Sequence, residues 1–126
     1  MFYFVGNEIT KVEGLESLRN LRELVLDKNK IRLITETSFY SQTNLVELHL
    51  EENRIRELSF FDRMVKLEKL FLGSNKIPVR QISFFNKKEK KQIIDTIFYL
   101  KETLEIEKLN LLVCLNELSL INNPVN

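Results

Sequence analysis

One spacing governs what this chain can fold into. Leu45, Leu48, Leu50, Asn53 and Ile55 form the pattern Leu-x-x-Leu-x-Leu-x-x-Asn-x-Ile, which also stands at Leu21, Leu24, Leu26, Asn29, Ile31 and at Leu67, Leu70, Leu72, Asn75, Ile77. A weaker copy closes the chain at Leu115, Leu118, Leu120, Asn123, Val125, and half of one opens it at Phe2, Phe4, Asn7, Ile9. The asparagines at 7, 29, 53 and 75 are 22, 24 and 22 residues apart, and Asn123 lies 48 further on. Leucines two apart in a strand share a face, while the residues between them point the other way. One such strand cannot bury its own leucines, but parallel stacking of the copies buries a continuous column. The asparagine stands where the chain leaves the strand, and its amide can satisfy backbone groups of the turn that would otherwise be buried without partners. A stacked asparagine ladder is therefore expected.

The segments that return from one strand to the next narrow the type. Val12-Glu13-Gly14-Leu15-x-x-Leu18-x-x-Leu21 and Ile106-Glu107-Lys108-Leu109-x-x-Leu112-x-x-Leu115 superpose without a gap. With the Leu/Asn pattern, these residues resemble the leucine-rich repeat, and the Ile/Val-Glu-x-Leu-x-x-Leu-x-x-Leu return is similar to the short repeats of the phosphatase-1 regulatory-subunit type. The resemblance covers residues 2–79 and 104–125. Gly14-Leu15, the run Leu48 to Arg54 and the run Val65 to Gly73 are also similar to a C-terminal repeat block within the family. The resemblance implies an α/β repeat fold, a leucine-rich-repeat solenoid with a parallel concave sheet and a convex side of turns, 3₁₀ segments and short helices. It implies a scaffold for protein contacts and supplies no catalytic residue.

A chain of 126 residues with 44% apolar and 29% charged side chains is one domain-sized unit with enough material for a core. Nineteen basic and 18 acidic residues give a net charge of +1, which provides no general attraction to nucleic acid or membrane. The single cysteine, Cys114, cannot form an internal disulfide and fits a reducing compartment, so a cytoplasmic location is expected, with nuclear or ciliary settings as alternatives. Met1 to Val5 are apolar but lack a basic flank and a long hydrophobic run, so they read as the first strand rather than a signal peptide or membrane span. Neither end of the chain carries the polar cap that a solenoid core needs. The expectation is one domain over 1–126, uncapped at both ends, as a fragment or short isoform of a longer repeat protein.

The interval from Asn29 to Asn53 is two residues longer than its neighbours, giving the return from Ile34 to Leu45 room for a fuller helical turn with Phe39 in the core. Between Ile77 and Ile106 the spacing breaks, and removing about 26 residues, 80–105, would restore it. The recurrence of Ile93, Ile94, Ile97, Phe98, Tyr99, Leu100 and Leu104 predicts a helical insertion over about 87–104. The alternative is a decayed repeat, because Ile94-x-x-Ile97-x-Tyr99 keeps the leucine spacing. Within this segment Arg80, Ile82 and Phe84 resemble the basic-x-Val/Ile-x-Phe peptide that docks on protein phosphatase 1. The stretch Arg56 to Phe61 has nearly the same pattern 24 residues earlier, so a structural return segment explains it equally well.

Residues alternating with the buried leucines face a partner on the concave side. The central column is Tyr3, Val25, His49, Phe71, Ser119, flanked by Glu23, Glu47, Lys69, Glu117 and by Val5, Asp27, Glu51, Gly73, Ile121. Five acids, Glu23, Asp27, Glu47, Glu51 and Glu117, oppose the one base Lys69, about −4 on a nearly neutral chain. An acidic surface with an apolar centre predicts a non-catalytic scaffold for a protein partner with a basic surface; the alternative is a regulatory or docking subunit of protein phosphatase 1. No enzyme is expected, for the chain has no glycine-rich phosphate loop, no metal-ligand spacing and no nucleophile placed with a base. No cofactor, metal, nucleic acid or membrane enters this reading.

Overall fold

The computed structural model describes residues 1–56, 64–77, 117–119 and 122–124. Five short strands form one parallel sheet in chain order: β1 (Phe2–Tyr3), β2 (Glu23–Val25), β3 (Glu47–His49), β4 (Lys69–Phe71) and β5 (Glu117–Ser119). Leu24, Leu48, Leu70 and Leu118 pair in one register row and are at most 2% exposed. Leu26, Leu50 and Leu72, two residues on, are buried beside them, and Leu21, Leu45 and Leu67 close the column from the return side. Ile31, Ile55, Ile77 and Phe39 complete this core, with Phe4, Ile9, Leu15 and Leu18 packed against it half-buried. The leucine periodicity thus becomes a single stacked core, as the spacing predicts.

β4 pairs directly with β5, so the last repeat stacks on the Asn75 repeat although 39 residues, 78–116, lie between Ile77 and Glu117. Among the described residues no strand stands between them in the sheet. The expected insertion 80–105 with its helix, its decayed-repeat alternative, the Arg80, Ile82, Phe84 motif and Cys114 all lie outside the described residues.

The asparagine ladder is present and regular. Asn53 Nδ2 donates to the carbonyls of Leu50 (3.1 Å) and Glu51 (3.2 Å) in its own repeat and of Leu26 (3.0 Å) in the preceding one, while its Oδ1 accepts the Ile31 N–H at 3.1 Å. Asn29 and Asn75 repeat this set, and Asn123 accepts the Ile77 N–H at 3.0 Å and donates to Leu72 at 2.8 Å. All four are buried, whereas Asn7 is exposed and donates only to its own Phe4 carbonyl, at 3.0 Å. Immediately before every rung stands a residue with positive φ: Gly6 (72°), Lys28 (58°), Glu52 (55°), Ser74 (55°) and Asn122 (59°). The left-handed residue swings the chain off the strand and aims the next side chain back into the stack. Lys28, Glu52 and Ser74 each carry strain of about 1–2 kcal/mol at this position. The ladder bonds offset it.

Among the described residues the convex side consists of turns and contains no helix. Leu18 N–H bonds Leu15 O, Gln42 N–H bonds Phe39 O, and Leu67 N–H bonds Met64 O, each an i to i+3 closure as in a 3₁₀ turn. The longer return from Ile34 to Leu45 does not form the fuller helical turn. Its extra residues are absorbed by a local knot in which Thr35 N–H donates to Ser38 Oγ at 2.9 Å and Ser38 N–H donates to Thr35 O at 3.1 Å. Gln42, at the place of Leu18 and Met64 in the neighbouring returns, is buried, and its Nε2 donates to the carbonyls of Leu15 (2.8 Å) and Leu18 (3.2 Å).

Candidate functional site

The strand alternation that sends leucines inward sends the intervening residues to the open face of the sheet. The register aligns Tyr3, Val25, His49, Phe71 and Ser119 in one row, and Glu23, Glu47, Lys69 and Glu117 in the row before it. Asp27 and Glu51 form the third row, where Glu51 N–H donates to Asp27 Oδ1 at 2.7 Å. All five acids and Lys69 are half-buried on this face. The structure aligns the first two rows of the expected stripe and pairs Asp27 with Glu51 in the third, whose Ile121 lies outside the described residues, and it corrects one residue. Val25 is only 6% exposed, because its short branched side chain stands in the row between Tyr3 and His49, so it belongs with the buried residues and offers a partner little surface. The apolar centre is carried instead by Phe71 and by Tyr3, which is exposed on the edge strand.

Two groups of contacts give the face its character. His49 Nε2 lies 2.7 Å from Glu47 Oε1, and the imidazole stacks on the Phe71 ring with centroids 4.5 Å apart and planes at 23°. Lys69 Nζ stands 4.0 Å from Glu47 Oε2, so this carboxylate is shared between two neighbours. In the third row, burial raises the carboxyl of Asp27 above its ordinary value, against the lowering effect of the Glu51 N–H and of His49. Burial also raises Glu51, and the neighbouring charge of Asp27 raises it further. The fixed pairing of His49 with both Glu47 and Phe71, and the bond that locks Asp27 to Glu51, are not visible in the sequence, where alternation reveals only that these side chains share a face.

Glu23, Glu47 and His49 can bring one ligand atom each within 4.8 Å of one another, two carboxylate oxygens and an imidazole nitrogen. The Lys69 ammonium beside Glu47 opposes a second cation at that point. Arg22 and Lys66 stand just before the strands, lining a hollow with Asn20, Asn44 and Val46, where Lys66 Nζ donates to Asn44 Oδ1 at 2.8 Å and Asn44 Nδ2 to Arg19 O at 2.9 Å. Basic groups thus stand just before the strands, and the acids of the face run from Glu23, Glu47 and Glu117 at the strand starts to Asp27 and Glu51 beyond the strand ends. Among the described residues no helix is long and apolar enough to cross a membrane.

A parallel sheet of short strands, a leucine core and a buried asparagine spine define a leucine-rich-repeat solenoid. Residues 19–77 match the family described as Leucine rich repeat. Its fold is similar to that of an internalin from Listeria monocytogenes strain 4b F2365, with a TM-score of 0.60 and 21% identity over 98% of this chain and 35% of the internalin chain. This chain thus spans about a third of that protein's resolved length.

Proposed function

We propose that the protein is a non-catalytic scaffold that binds a protein partner on the open face of its sheet. The observation that carries this reading is the cluster of half-buried acids around the stacked His49 and Phe71 rings, a polar rim about an aromatic centre of the kind that anchors protein interfaces. Leucine-rich repeats and the internalin-like fold, typically interaction modules rather than enzymes, support it. The partner presents a basic rim, complementary to Glu23, Asp27, Glu47, Glu51 and Glu117. The finer resemblance of Gly14-Leu15, Leu48 to Arg54 and Val65 to Gly73 to the last repeat block of leucine-rich repeat-containing protein 9 fits such a scaffold. A cytoplasmic setting, expected from the single cysteine, goes with it.

The test is affinity capture with the full chain and with Phe71→Ala side by side. A partner retained by the first and lost from the second supports the open face. The second reading, regulation of protein phosphatase 1 through Arg80, Ile82 and Phe84, rests on the sequence motif alone. It predicts capture of phosphatase 1 that survives Phe71→Ala and is abolished by Ile82→Ala with Phe84→Ala.

A further inference from the structure

We infer that the hollow just before the strands, lined by Asn20, Arg22, Asn44, Val46 and Lys66, binds a phosphate monoester carried on a side chain of a partner protein. This site is separate from the open face and does not depend on it. The hollow has a volume of about 310 Å³, and it exists because Val46 is short where the coils on either side carry Arg22 and Glu68 in the same register row. Its frame is fixed by the main chain. The Arg22 carbonyl accepts the N–H groups of Val46 (2.8 Å) and Glu47 (3.0 Å), and the Val46 carbonyl accepts those of Glu68 (2.8 Å) and Lys69 (3.1 Å). Asn44 is half-buried; its Nδ2 donates to Arg19 O at 2.9 Å and its Oδ1 accepts from Lys66 Nζ at 2.8 Å. The lysine head is thereby drawn back over the coil that forms the floor, toward the coil that carries Arg22.

The side-chain groups left over at the hollow are mostly donors. Arg22 brings its guanidinium fork, the Lys66 ammonium keeps N–H groups beyond the one spent on Asn44, and Asn44 Nδ2 keeps a second N–H. Among the described residues no carboxylate lies within 4.0 Å of Arg22 or Lys66, that of Glu68 included. An anion supplies the missing acceptor. The two cations reach the hollow from coils two apart, roughly 10 Å along the sheet. A carboxylate, with both oxygens on one edge, meets only one of them. A phosphate monoester carries a charge of about −1.5 to −2 and three oxygens aimed apart, so it takes the Arg22 fork on one side and the Lys66 ammonium on the other. The surroundings select one projecting phosphate over a charged surface. Glu23 and Glu47 follow Arg22 and Val46 directly, and they repel a plane of anionic headgroups or a nucleic-acid backbone that approaches the two cations.

The experiment selects phosphoserine peptides against the full 126-residue chain, then remakes the enriched peptides with serine or glutamate in place of phosphoserine. The expected result is that serine abolishes binding and glutamate weakens it roughly tenfold or more. Amide shifts on the unaltered chain should place the peptide at Arg22, Asn44 and Lys66. Arg22→Gln with Lys66→Gln should abolish binding without moving the thermal midpoint, because a glutamine at 66 still carries a donor for Asn44. Phe71→Ala should leave phosphopeptide binding unchanged, which separates this site from the open face. Peptides that bind equally well with glutamate or serine overturn the phosphate assignment. Vesicles of phosphatidylcholine with phosphatidylinositol phosphate test the other source of the same group: binding to them, lost in the double variant and unmatched by any phosphopeptide, overturns the protein partner in favour of a membrane. Failure to enrich any phosphopeptide, or enrichment with amide shifts elsewhere on the chain, overturns the site.

Discussion

Asn53 holds Ile31 across the boundary between repeats: the Ile31 N–H donates to Asn53 Oδ1 at 3.1 Å, while the same amide's nitrogen donates back to Leu26 at 3.0 Å. One side chain thus satisfies buried groups on two successive coils. Replacing it orphans the buried Ile31 N–H, while the Leu26, Leu50 and Glu51 carbonyls keep the donors of Asn29, Asn75 and Lys28. Asn53→Ala is expected to cost about 1–3 kcal/mol, the penalty for one orphaned buried polar group. Asn53→Asp should be no milder, because a carboxylate accepts from Ile31 but donates to none of the three carbonyls. Chemical denaturation of both variants measures this.

The leucine column gives a second expectation. Leu48 is fully buried between Leu24 and Leu70 in the register, so truncation opens a cavity that neighbouring repeats, held by their own ladder bonds, cannot collapse into. Leu48→Ala should cost about 2–5 kcal/mol, comparable to the whole stability of a marginal domain. A thermal midpoint equal to that of the parent would contradict the register.

The sequence makes the column, the ladder and the membership of each row on the open face legible, because alternation and a period near 22 residues admit one stacking. What it hides are features set by the angle at which the chain leaves each strand. Lys28, Glu52 and Ser74 have no common chemistry, so nothing in their identities marks the left-handed turn they share; Gly6 and Asn122 give a hint. Val25 illustrates a different limit. Its face is correctly read, but its burial depends on the sizes of Tyr3 and His49 in adjacent repeats, which period alone does not weigh. Gln42 likewise interrupts a leucine site, and its value lies in the Leu15 and Leu18 carbonyls one coil away.

The shared turn predicts a stabilising substitution. Glu52 has φ of 55° and is exposed, so glycine relieves strain there and removes no packed side chain. It also takes away a charge that raises the carboxyls of Asp27 and Glu51. Against these gains stands glycine's greater loss of freedom on folding. Glu52→Gly is expected to raise stability by about 0.5–1 kcal/mol, measured as a higher thermal midpoint. A lower midpoint would mean the strain is already relieved by the ladder.

The acid pair predicts a pH dependence. Burial raises both Asp27 and Glu51; His49 lowers both and Glu52 raises both, while the Glu51 N–H and Lys28 lower Asp27 and the charge of Asp27 raises Glu51. A carboxyl that ionises later in the folded chain than in the unfolded one makes the folded state hold the extra proton over that interval, so stability falls as pH rises through it. Asp27→Asn with Glu51→Gln removes this loss. The variant should melt higher than the parent at neutral pH, and the difference should shrink on acidification and vanish below the ordinary carboxylate range, about pH 3. A difference independent of pH would point to packing instead of charge.

Phe71 supplies the last expectation, because it joins the aromatic centre of the open face to the stability of the strand without being needed for the core. It is half-buried, stacks on His49 at 4.5 Å, and points away from Leu70 and Leu72, which carry the packing of its repeat. Phe71→Ala should therefore leave the melt cooperative and its midpoint close to the parent's. Binding is another matter: a large ring at the centre of an interface typically accounts for about 2 kcal/mol or more of affinity. The charges around it act mainly on encounter, so Glu47→Lys with Glu51→Lys should slow association at low salt and matter less as salt screens the face. Measured on one captured partner, the ring should change the dissociation rate and the two glutamates the association rate. A partner indifferent to all three substitutions binds elsewhere on the protein.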